Sequence, residues 1–168
     1  MVVNRFKSHW TRNDLHVVGA VFGYIDLIKA TDTCGEQYVM PTKKPFDLHA
    51  HGVRTAVVTS SNQPKMESVY RAQPGFKQLF DAILTSEDFE YSKPHPDCYL
   101  KAAARFGVQP SECVVFEDSF NGLKSGRAAG MKVVGVATTN PQETIAPLSD
   151  IQITDYVRVD YQSLLKLF

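Results

Sequence analysis

From about Lys43 onward, short β-branched runs alternate with helical segments, joined by connections of ordinary length. This alternation is the pattern of a parallel α/β sheet, and few other architectures accommodate it. "KKPFDLHAHG" reads as a short helix stopped at Gly52, "RTAVVTSS" as a buried strand running into a polar loop, and "QPKMESVYRA" as the next helix, with Pro64 in its first turn. "DAILTSEDF" supplies a strand, and "HPDCYLKAAARFG" a helix opened by Pro96 and closed by Gly107. Strand "ECVVFED", helix "SFNGLKSGRAAG" with Gly130 past its end, and strand "MKVVGVATT" follow. In "NPQETIAPL", Asn140 is the expected N-cap, Pro141 the first helical residue and Glu143 the capping-box partner. A weak strand, "IQIT", and a last helix, "DYQSLLKLF", finish the chain.

Residues 1–42 have a different character. One apolar run, "HVVGAVFGYIDLI", is a candidate first strand near 17–26, whereas the flanking "RFKSHWTRND" and "KATDTCGEQYVM" show no period. The expected organisation is an atypical N-terminal segment, 1–42, ahead of a core domain, 43–168. A chain of 168 residues with 43% hydrophobic content has ample material for one packed core.

Eighteen basic residues balance eighteen acidic ones, so no net field draws nucleic acid or an anionic membrane, and neither is expected as a partner. No apolar stretch approaches the ~18 residues of a membrane span, and "MVVNRFKSHW" lacks the apolar segment of a secretory signal, so a cytoplasmic location is expected. Cys34, Cys98 and Cys113 are odd in number and far apart, which argues for reduced thiols, at least two of them buried, over a disulfide framework or a metal knuckle.

In an open parallel sheet the ligand site lies beyond the carboxyl ends of the strands, where successive loops converge. Three polar clusters are placed there. "TSSN", Thr59 to Asn62, offers a hydroxyl and helix-opening N–H groups to a phosphate; Ser60, Ser61 or Asn62 could equally cap the helix. In "SKPHPD", the proline after Lys93 restricts the lysine to extended backbone, from which its ammonium could reach an anion. In "FEDS", Glu117 and Asp118 are the hard oxygen ligands that Mg²⁺ prefers, although Asp118 could also be a helix cap. A hydroxyl, a lysine and an acidic pair, each at the end of a different strand, together compose a phosphate-plus-magnesium site. The "HAH" of His49 and His51 is a different matter. No buried strand precedes it, so a zinc site is disfavoured and a place at a helix C-terminus expected.

With "FEDSFNGLKSGRAAGMKVVGV" and "KPHPD", the chain resembles the haloacid dehalogenase superfamily of phosphohydrolases, most closely its β-phosphoglucomutase-like branch, over roughly residues 44 to 168. The resemblance implies a doubly wound parallel sheet with a Rossmann-like core. Thr59 takes the position that binds the transferring phosphoryl group, with Ser60 beside it, Lys93 the position of the family lysine, and Glu117 and Asp118 that of the Mg²⁺-holding acidic pair. It further implies Mg²⁺-dependent phosphatase or phosphomutase chemistry on small phosphorylated metabolites such as sugar phosphates, through an aspartyl-phosphate.

Two departures qualify it. The family's "DxDG" nucleophile motif is missing; laying "AVFGYIDLIKATDT" on that strand and loop matches Asp26 to the acid/base aspartate and puts Tyr24 where the nucleophile belongs, while aligning Asp32 instead shifts Asp26 by one residue. Only 33 positions separate Asp26 from Thr59, too few for the helical cap domain of this branch, so the cap is expected to be absent or truncated. Two readings therefore stand: an active phosphatase, or a degenerate domain that keeps the phosphate and magnesium pocket without the nucleophile. A signalling receiver domain is disfavoured because its acidic pair should follow the first strand and its lysine should come last.

Overall fold

The β-branched runs form a six-stranded sheet in the computed structural model, which describes residues 48–72, 74–156 and 159–168 together with the backbone of 19–23. Its strands are β1 (Gly19–Gly23), β2 (Arg54–Val58), β3 (Ala82–Leu84), β4 (Cys113–Glu117), β5 (Lys132–Val136) and β6 (Ile151–Ile153). Every neighbouring pair is parallel, and the spatial order is β3-β2-β1-β4-β5-β6. This is the doubly wound order, in which the winding reverses between β1 and β4 and opens a crevice at the carboxyl ends of those strands. Gly23, the last residue of β1, is in register with Val58 of β2, and Phe22 with Phe116 of β4. The ends of β2, β1 and β4 therefore lie side by side.

Successive side chains of a strand face opposite sides, so each run feeds two cores. Val57, Val114, Phe116, Val134 and Val136 meet Met66 of α1 (Gln63–Ala72) and Leu164 of the last helix on one face. Ala56, Val58, Cys113 and Val115 meet Cys98, Tyr99, Ala102 and Ala103 of α2 (Asp97–Phe106) on the other. Leu123 of α3 (Phe120–Ala128) and Ile145 of α4 (Gln142–Ile145) close over Val133. Large side chains such as Phe116, Met66 and Leu123 are wholly buried. Each contributes about 1.5–3 kcal/mol relative to exposure. Cys98 and Cys113 are buried free thiols, and burial, with the Glu112 charge adding, pushes Cys113 up to about 12.

Most of the expected boundaries are observed within a residue or two. α1 covers "QPKMESVYRA" and is capped by Asn62, whose Oδ1 accepts from Lys65 N at 3.2 Å. α2 ends on Gly107 at φ 69°, a left-handed turn that favours glycine. α5 (Tyr161–Leu165) is opened by Asp160, which accepts from Ser163 N. The expectations for Asn140 and Pro141 fail: Pro141, not Asn140, stands at the N-cap of α4 and gives it no side-chain cap, while Asn140 Nδ2 turns to donate to the Asp118 carbonyl at 2.8 Å. The "HAH" pair splits. His51 stacks on Tyr161, with ring centroids 4.2 Å apart, and His49 Nε2 reaches Thr55 Oγ1 at 2.8 Å and Asp81 Oδ2 at 3.0 Å, tying the amino end of β2 to the residue before β3. Among the described residues no group of three or more histidine, cysteine, aspartate or glutamate side chains is placed to hold a metal ion, and no helix is long and apolar enough to cross a membrane.

Candidate functional site

Three loops converge at the carboxyl end of the sheet. Glu117 ends β4 and Asp118 follows it, both buried because the strand runs through the centre of the sheet. Ser119 then caps α3, its Oγ accepting from Gly122 N at 3.1 Å. Lys93 comes from the loop before α2, where the Lys93–Pro94 peptide is cis. Its ammonium crosses from β4 to β2: Nζ donates to Glu117 Oε2 at 2.7 Å and to the Val58 carbonyl at 3.3 Å. The pair is almost sealed, with side chains 9% and 4% exposed.

Glu117 is saturated. Oε2 also accepts from the Tyr99 hydroxyl at 2.7 Å, and Oε1 accepts from Ser119 N at 3.2 Å and Ser119 Oγ at 2.9 Å. Burial alone would push this carboxyl up, but the Lys93 charge and the donors Lys93, Tyr99 and Ser119 outweigh it and hold Glu117 below the usual carboxylate range. The side chain lies against the first turn of α3 through a gap only glycine leaves: a Cβ on Gly122 would stand 2.0 Å from the Glu117 carboxyl carbon.

Asp118 has the opposite character. Oδ2 accepts from Thr139 Oγ1, and Oδ1, although buried, has no partner among the described residues. Burial raises its pKa; the Thr139 hydrogen bond opposes this and the Glu117 charge adds to it. A buried anionic oxygen without a donor costs free energy unless something positive meets it. That orphaned oxygen fits a divalent cation. Mg²⁺ is commonly held by one or two carboxylates together with waters and substrate phosphate, so Asp118 would be its direct ligand, and Glu117, its oxygens already engaged, would set the charge beside it.

Thr59 is wholly buried just past β2, where its N–H reaches the Leu84 carbonyl at 2.9 Å and its Oγ1 accepts from Ser61 N at 3.0 Å. With Asn62 capping α1, Ser60 is left exposed, and it lines an open cleft of about 440 Å³ with Lys93, Ser119, Phe120, Asn121 and Asn140. Of the residues expected from sequence, Lys93, Glu117 and Asp118 are joined at one end of the sheet, with Ser60 on the wall of the cleft and Thr59 beside it. Asp26, like Tyr24 and Asp32, falls outside the described residues.

Sequence reasoning missed Tyr99, Thr139 and Asn140. Tyr99 follows Lys93 by six positions and looks like one more apolar residue on a helix. Thr139 and Asn140 are more than twenty residues from Asp118, and only the parallel pairing of β4 with β5 brings their loop to it.

Residues 36–130 match the family model of the haloacid dehalogenase-like hydrolases. The chain belongs to this family. It is 33% identical over 127 residues to the bifunctional riboflavin kinase/FMN phosphatase of Arabidopsis thaliana, an alignment covering 71% of the chain and 34% of that relative. It is 40% identical over 86 residues to the fructose-1-phosphate phosphatase YqaB of Escherichia coli, covering 51% of the chain and 46% of the relative. Among solved family structures, that of CbbY from Rhodobacter sphaeroides in complex with phosphate superposes with a TM-score of 0.60 at 27% identity, covering 68% of the chain and 52% of CbbY. The chain thus spans no more than about half the length of these three family members.

Proposed function

We propose that the chain is a Mg²⁺-dependent phosphatase or phosphomutase-like protein acting on small phosphorylated metabolites such as sugar phosphates. The observation that carries this reading is that the Lys93 ammonium meets Glu117 at the end of β4, directly before the Asp118 whose Oδ1 is orphaned, at the crevice between β1 and β4. Lys93, with the Ser60 hydroxyl beside it, would neutralise and orient phosphoryl oxygens, and Thr59, next to Ser60 in the same loop, would supply a further hydroxyl. Mg²⁺, held through Asp118, would supply charge neutralisation of the phosphoryl group. The names of relatives support the substrate class: FMN and fructose 1-phosphate are both small phosphate esters.

One observation favours a second reading, a non-catalytic pocket: no "DxD" occurs in the chain, and Tyr24 stands two residues before Asp26. A phenol does not replace a carboxylate that must both attack phosphorus and ligate the metal, so Asp26, as acid/base, would lack its partner.

Hydrolysis of an aryl phosphate with and without Mg²⁺, run beside Asp118→Ala, separates the two. Mg²⁺-dependent turnover that the variant loses is the expected result for the enzyme, and makes Asp26 and Asp32 the residues to replace next. Equal inactivity of two folded proteins, with phosphate still bound in titration calorimetry, assigns the pocket reading. No turnover and no phosphate binding would overturn both.

A further inference from the structure

Tyr99 is wholly buried in α2, yet its hydroxyl ends on the site: it donates to Glu117 Oε2 at 2.7 Å, the same oxygen that receives the Lys93 ammonium at 2.7 Å. Its ring also faces that ammonium, with Nζ 4.8 Å from the centroid. The ammonium is thereby bounded by a carboxylate, a carbonyl and an aromatic face, a geometry in which a cation is stabilised without being consumed by one partner.

An ammonium paired exclusively with a buried carboxylate has little attraction left for an anion, and pulling it away would leave the carboxylate without a donor, at high cost. A second donor on the same oxygen changes both terms. With Tyr99 on Oε2 and Ser119 on Oε1, both Glu117 oxygens keep a hydrogen-bond donor when Lys93 turns toward a ligand whose own contact with the ammonium keeps the positive charge beside the carboxylate.

We propose that Tyr99 is a positioning residue: acting through Glu117 and against Lys93, it holds the carboxylate in place so that the ammonium can be shared with a phosphoryl group in the cleft. The inference rests on the phosphate-binding reading above. Phenylalanine would fill the same volume, so the hydroxyl alone is at issue.

The test is titration of the full chain with inorganic phosphate in the absence of metal, for wild type, Tyr99→Phe, Glu117→Gln and the double variant. Tyr99→Phe should weaken phosphate binding roughly tenfold, the worth of one hydrogen bond to a charged group. In the Glu117→Gln background the same change should shift affinity less than about twofold, since the acceptor through which it acts is altered. Equal losses in both backgrounds would mean a merely structural tyrosine, and no loss in either would mean no role; each overturns the proposal. A wild type that binds no phosphate overturns the pocket reading and this inference with it, an outcome distinguishable because the wild type itself fails. Should Tyr99→Phe not fold, the Tyr99 hydroxyl proton of the wild type gives an independent readout. Its NMR resonance should shift as phosphate draws Lys93 off the shared oxygen, and an unmoved resonance under saturating phosphate overturns the proposal.

Discussion

Glu117 shows how far one side chain can depend on its neighbours. It is a buried anion whose compensation comes from one ammonium and three hydrogen bonds, so it tolerates company poorly and solitude worse. Lys93→Met should cost about 3–5 kcal/mol in urea unfolding, because it removes the counter-charge of a buried carboxylate that Tyr99 and Ser119 hydrogen-bond but do not neutralise, rather than because the pair is itself worth that much. Adding Glu117→Gln should recover most of the loss; if it does not, the cost lies in packing around Lys93 and not in the orphaned charge. Gly122 makes the complementary point. Its missing Cβ is the space the carboxyl occupies, and the carboxyl, pinned at both oxygens, has nowhere to retreat. Gly122→Ala should therefore destabilise the fold by at least the ~1–3 kcal/mol of an overpacked core and abolish phosphate binding, as a melting curve beside a phosphate titration would show.

At the scale of elements, the two ends of the sheet do different work. The carboxyl end collects Ser60, Lys93, Asp118 and the first turn of α3, whereas the amino end is closed by a polar clasp. There Asp81 Oδ2 accepts from Thr55 N at 2.8 Å as well as meeting His49, while Asp81 N donates to the Thr55 carbonyl. Removing that carboxylate leaves the buried Thr55 N–H unpaired. Asp81→Ala should accordingly lose about 1–3 kcal/mol of stability while leaving phosphate affinity within about twofold, since it lies a strand's length from the cleft. A change in affinity larger than that would mean the two ends are coupled through β2.

For the molecule as a whole, the site sets an acid sensitivity whose sign follows from its two carboxyls. Glu117 titrates below its ordinary 4.5 in the folded chain, so its contribution is present above that value and is lost as pH falls through the lowered one. Asp118 titrates above its ordinary 3.8, so the folded state gains relative stability as pH falls through the raised value. The two oppose each other. Replacing Glu117 by Gln should flatten the loss of stability below about pH 4.5, whereas Asp118→Asn should steepen the net decline there by removing the offsetting gain. Melting temperatures across that range check both slopes, and unchanged slopes would show that other carboxyls govern acid unfolding.

Local chemistry was enough to read most of the architecture. Strand runs such as "TAVV" and "CVVFE", and helix stops at Gly107 and Gly130, announce themselves because β-branched bulk and left-handed backbone are properties of single residues and their immediate neighbours. For the same reason Lys93, Glu117 and Asp118 could be picked out from the chain alone: the acidic pair stands where a strand gives way to a loop and Lys93 sits before a proline ahead of a helix, and charge in such places is conspicuous. Which oxygens are occupied was not legible. That Glu117 is saturated while Asp118 keeps one free oxygen, that Tyr99 is a donor, and that Asn140 serves Asp118 rather than its own helix depend on residues eighteen to twenty-four positions apart. Side-chain identity sets what each group can donate or accept. The packing of α2, α3 and the loop after β5 around one sheet end decides which groups are close enough to do so, and hydrogen bonds, unlike hydrophobic burial, are made or lost within a few tenths of an ångström.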